Sequence, residues 1–150
     1  MENNLETMIE GLKRAVEMEK TLQDYYKQAE RSATSSATAA MMDTMEERHL
    51  SLAGRVGRRL EELEHQSGEG GFADTLQAIG RAISDTVAGL PVGLIRTETK
   101  PSIDFLRQGE EQLLHHYEGM LDGADPETRA LLEVAATNTR ENIERLGAGT

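Results

Sequence analysis

Glu19 lies seven residues before Tyr26, and Glu110 lies seven residues before Tyr117. Between the two pairs stands Glu46-Glu47-Arg48-His49, a Glu-x-x-His. Seven residues make two helical turns, so each Glu shares a helix face with its Tyr, and residues three apart are also neighbours on a helix. All three sets fall on the apolar stripe of their segments. A carboxylate or imidazole pointing into a helical core is costly unless it is protonated, paired or bound to a cation. Helical bundles build metal centres from this donor set, with carboxylates and Glu-x-x-His motifs projecting inward from facing helices. Carboxylate and imidazole ligands suit iron or manganese.

Long helices must position these residues. Apolar side chains recur at helical spacing from Leu5 through Ile9, Leu12, Val16, Leu22 and Tyr26 to Ala29. The stretch 32–36 is rich in Ser and Thr, which breaks the pattern and offers capping hydroxyls. A second helix is predicted over 36–64, with Met42, Met45, Leu52, Val56, Leu60 and Leu63 inward. Gly54 and Gly57 lie inside it, each about 1 kcal/mol less favourable than Ala, which suggests close helix contact. Ser67-Gly68-Glu69-Gly70-Gly71 ends that helix. Phe72, Leu76, Ile79, Ile83 and Val87 predict a shorter helix inside a crossover over 67–100. Ile103, Leu106, Leu113, Tyr117 and Leu121 mark the next long helix. Asp125 as N-cap and Pro126 at the first helical position open the last, which runs to a stop at Gly147. The fold class predicted is all-α: one domain of two helical hairpins, 4–66 and 101–147, joined by the crossover with its extra short helix. A long coiled coil is the alternative if 5–64 stays helical through 32–36.

The register is consistent with one shared site. Glu19 and His49 are equally far from the turn near Thr34, so antiparallel helices place them at one level. Glu110 and Asn138 are equally far from the turn near Ala124, with Glu141 one turn on.

Composition narrows the function. The chain has 150 residues, a net charge of −11, no Trp and no Cys. The negative charge argues against nucleic acid as a partner and favours cations. The absence of cysteine excludes disulfides, Fe–S clusters, thiolate zinc and thiol catalysis. The N-terminus is acidic and lacks the apolar core of a signal peptide, and no run is long enough to span a membrane. A cytoplasmic protein with no membrane partner is expected.

Ala15-Val16-Glu17-Met18-Glu19-Lys20, followed by Tyr25-Tyr26 and then Glu46-x-x-His49, resembles the rubrerythrin-like branch of the ferritin-like superfamily, in particular its uncharacterised bacterial families. The resemblance is best over 5–63 and implies a ferritin-like four-helix bundle. It implies one iron site from Glu19, Glu46 and His49, and a second to which Glu110 belongs. Helix 4 departs from the family's pattern. Its inward polar positions are Asn138, Thr139 and Asn142, and Glu141, the carboxylate placed nearest Glu110, is not followed by a histidine.

Simpler readings stand beside this one. Glu19 can pair with a Lys or Arg, His49 can be a core histidine satisfied by Glu46 or Tyr26, and the tyrosine hydroxyls find natural acceptors in the carboxylates. His115 or His116 is a substitute ligand only if it reaches inward. Met41, Met42 and Met45 read as packing. Two functions follow. One is a metal-binding bundle that handles iron or manganese, or reacts the metal with oxygen or peroxide. The other is a non-catalytic helical scaffold or interaction protein that has lost the site. Whether the chain is an enzyme is left open, and a homodimer or higher homo-oligomer is expected.

Overall fold

Ser35, Ser102 and Asp125 each start a helix by accepting the backbone N–H three residues on. Ser35 Oγ accepts from Thr38 at 3.1 Å, Ser102 Oγ from Phe105 at 3.1 Å and Asp125 Oδ2 from Thr128 at 3.2 Å. Each such cap is worth about 1 kcal/mol. The computed structural model describes residues 2–67 and 101–148. They form helix α1 (Glu2–Ser32), α2 (Ser36–Ser67), α3 (Ile103–Met120), a 3₁₀ turn (Leu121–Gly123) and α4 (Pro126–Ala148). The helix predicted over 72–87 lies outside the described residues. The break at 33–35 makes a hairpin of α1 and α2, not a coiled coil, and α4 runs one residue past the stop predicted at Gly147. Among the described residues no helix is long and apolar enough to cross a membrane.

The four helices pack as two hairpins, α1 with α2 and α3 with α4, joined face to face through α1 and α3. The interior is Leu, Ile, Val, Met and Ala, with Tyr25, Tyr26, Phe105 and Tyr117 as its aromatic members. Each fully buried Leu or Ile contributes about 1.5–3 kcal/mol. At Gly11 α1 admits α3 closely: a Cβ there would stand 2.6 Å from the methyl of Met120, and the Gly11 carbonyl is 2.8 Å from His116 Nε2.

α2 and α4 meet sparsely. The buried face of α4 is mostly small or polar, with Thr128, Ala135, Ala136, Thr139 and Asn142 beside Leu132 and Leu146. Two arginines of α2 span this seam. Arg48 reaches the C-terminal half of α4. Arg59, only 7 % exposed, donates from Nε to Thr128 Oγ1 at 2.8 Å and from Nη2 to Asp125 Oδ2 at 2.9 Å. It also pairs with Glu127 at 3.1 Å. Its fork thus holds the cap of α4 against α2. Burial raises the pKa of Asp125, but the hydrogen bonds from Thr128 and the charge of Arg59 outweigh it and hold that carboxyl below its ordinary value.

Arg59→Ala is expected to destabilise the protein by about 1–3 kcal/mol in urea unfolding, because it strands the buried Thr128 hydroxyl and unpairs the cap. Arg59→Lys should recover only part of the loss, since an ammonium lacks the planar fork.

Candidate functional site

His49 sits on the inward line of α2 that runs through Met42, Met45, Leu52 and Val56, all buried. It stands at the level of Glu19 on α1 and Glu110 on α3, and all three are 0 % exposed. Nδ1 lies 2.5 Å from Glu19 Oε1, and Nε2 lies 2.7 Å from Glu110 Oε2. An ionised carboxylate only accepts, so between two of them both ring nitrogens must donate and the ring is an imidazolium. Burial opposes that charge, but the fields of Glu110 and then Glu19, with their hydrogen bonds, overcome it and push the His49 pKa up to about 10.

The tyrosines close the bridge at both ends, each crossing to the other hairpin. Tyr26 of α1 donates to Glu110 Oε2 at 2.5 Å, and Tyr117 of α3 donates to Glu19 Oε2. Burial first, then the neighbouring carboxylate, holds both phenols well above their ordinary pKa, so they remain donors. The Tyr26 ring also stacks on the His49 imidazole, with centroids 5.4 Å apart. From α4, Asn142 Nδ2 donates to Glu110 Oε1 at 3.3 Å. Asn142 is itself fixed by Arg48, whose Nε donates to Asn142 Oδ1 at 2.8 Å. Every carboxylate oxygen of the bridge therefore has a donor.

Of the residues the sequence nominated, Glu19, His49 and Glu110 come together, while Glu46 and Glu141 do not. Met45 takes the inward place on α2, which turns Glu46 to the flank. There it faces Glu30 and Asp43, with carboxylate oxygens of all three within 4.8 Å of one another. Burial, then the charge of Glu30, raises its pKa. This partly exposed acidic group is separate from the bridge. Glu141 is turned outward and pairs with Arg48 at 2.9 Å, and Asn142, one residue on, holds the inward place expected of it. His116 turns to the Gly11 backbone and His115 is exposed, so neither serves Glu110. The bridging use of both His49 nitrogens, the link through Arg48 and the Arg59 clamp lie beyond what the sequence indicated.

The two hairpins repeat one another around this centre. Glu19 and Tyr26 correspond to Glu110 and Tyr117, and His49 on α2 corresponds to Asn142 on α4, each donating to the Glu of its own hairpin. Glu46 then corresponds to Thr139. A pair of metals would need a second carboxylate and imidazole from α4, where Thr139 and Asn142 stand, and a free nitrogen on His49. The residues present do not fit a two-metal centre. Comparison with known protein families, with curated proteins and with solved structures finds no match for this chain.

His49→Gln, measured in chelator at pH 6.5, is expected to cost about 3–5 kcal/mol, the penalty of leaving buried carboxylates without their cation. The folded state raises the His49 pKa, so its contribution is full below the unfolded value near 6.5. It is lost as pH rises toward about 10. The stability gap between wild type and His49→Gln should therefore narrow from pH 6.5 to pH 10. A gap that is constant or widens would mean that His49 is neutral in the folded protein. Glu110→Gln should destabilise as well, because Glu110 accepts from His49, Tyr26 and Asn142 together.

Proposed function

We propose that this chain is a ferritin-like bundle that works without a metal centre, as a non-catalytic scaffold or interaction protein closed by a proton-carrying histidine. The observation that carries this reading is that His49 spends both ring nitrogens on carboxylates from two other helices. A divalent cation between Glu19 and Glu110 would neutralise the same two charges that the imidazolium now faces. The order of two hairpins with a long connection, and the repeated Glu and Tyr pairs, support the ferritin-like part of the reading.

Access points the same way. Glu19, Tyr26, His49, Glu110, Tyr117 and Asn142 are all 0 % exposed. A reaction at this centre would require substrate to enter between packed helices, whereas a structural network gains from the exclusion of water, since the same charges attract more strongly there. Oxygen or peroxide chemistry on a bound metal was the other expectation, and the missing α4 ligands weigh against it.

Metal content measured on protein purified without chelator separates the two. The scaffold reading expects less than a tenth of an equivalent of iron or manganese, as a rough bound, and a melting temperature unmoved by chelator or by added Mn²⁺ or Fe²⁺. One or more equivalents of metal, lost in His49→Ala, would overturn it and restore a metal-binding function.

A further inference from the structure

Among the described residues two large apolar side chains stand exposed, Leu50 at 52 % and Val134 at 44 %. Val134 of α4 lines the seam with α2, whereas Leu50 is turned to the other flank of α2. Leu50 belongs to an outward stripe with Glu47, Gly54 and Arg58, spaced three or four residues apart and so aligned along one helix face. All four are exposed. Gly54 has no role inside the chain: a Cβ built on it meets nothing within 4 Å. Glycine in the middle of a long exposed helix is unfavourable, and no contact within this chain requires it. Glu47 and Arg58 have no ion-pair partner among the described residues, whereas Arg48 and the buried Arg59 of the same helix are paired.

We propose that this face of α2 is the contact between two copies of the chain. The stripe is complementary to itself when a second α2 lies antiparallel across it, about a two-fold axis beside residues 52 and 53. That operation sets Glu47 against Arg58 of the second copy, and Arg58 against its Glu47, giving two ion pairs. It sets Leu50 over the second copy's Gly54, where the missing side chain leaves room. The exposed Leu50 is thereby covered in both copies, and a two-fold axis uses the same patch on each partner. The next charges along the stripe, Asp43 and Glu61, would meet at like sign. The helices must therefore diverge beyond the central turns, as they do when ridges cross at about −50°. This contact is independent of what the centre of the bundle holds.

Sedimentation velocity on the full chain over a concentration series tests the proposal. Wild type should be in monomer–dimer equilibrium. Gly54→Lys, Glu47→Arg and Arg58→Glu should each raise the dimer dissociation constant about ten-fold or more. The double reversal Glu47→Arg with Arg58→Glu should restore association, because it re-forms both pairs with their signs exchanged. Each variant is exposed and lies away from the buried bridge, so none should lower the thermal stability of the monomer, and Gly54→Lys should raise it, since glycine is the poorer helix former. A wild type that stays monomeric at about 100 μM, far above the dissociation constant of a stable dimer, would overturn the proposal, whether water or other residues of the same chain cover the stripe. So would a dimer that is indifferent to Gly54→Lys, or a double reversal that fails to recover while both single variants dissociate.

Discussion

The contact of His49 with Glu19 and Glu110 sets the positions of three helices at once. Two carboxylates removed from water repel each other and lose their hydration, and either penalty alone would favour pushing one of them to the surface. An imidazolium placed between them removes both objections, provided that its two nitrogens reach both acids. That condition fixes the height of α2 relative to α1 and α3 within a small fraction of a helical turn. Hydrophobic packing alone is less demanding, because Leu, Met and Ala tolerate small slides along a helix. Here the apolar core supplies the bulk of the burial, and the charged bridge chooses the register.

The tyrosines extend this choice to the hairpins as units. Tyr26 and Tyr117 each leave their own helix and end on the other hairpin's carboxylate. The fourth helix stands apart. It offers the centre one neutral amide, Asn142, and its other ties to α2 run through Arg48 and Arg59. The bundle is thus asymmetric in a way its internal repeat conceals: the first three helices share a charge network, and α4 closes the side.

Much of this was readable from residues. A hydroxyl cap within 32–36, the cap at Asp125, the four amphipathic helices and the shared level of Glu19 and His49 follow from spacing and turn chemistry. The error at Glu46 is angular. Residues three apart on a helix differ by about 60° in direction, and the inward line of α2 passes through Met45 and His49, which leaves Glu46 on its flank. The error at Glu141 is angular as well. The inward line of α4 passes through Asn142, as its periodicity indicates, and one residue rotates a side chain by about 100°, which turns Glu141 outward although it stands near the height of Glu110. The bridging pose of His49 depends on a side-chain rotamer and on two acids from distant segments, neither of which leaves a mark in local sequence. Arg48 and Arg59 escaped notice for a related reason: a long side chain beside the inward stripe can lie in solvent or reach across a seam, and periodicity does not distinguish the two.

The thin seam between α2 and α4 has a consequence for the timing of events in the interior. Proton exchange at His49 requires water to reach a ring that stacks on Tyr26 and is capped by carboxylates on both sides. The least apolar wall around it is α4, so local opening there is the cheapest route for solvent. The proton on His49 would then exchange at the rate at which α4 lifts, not at the rate of an ordinary surface imidazole. A jump in pH would leave the bridge in its former state until that helix has moved, and the protonation of the centre would lag behind the solution outside.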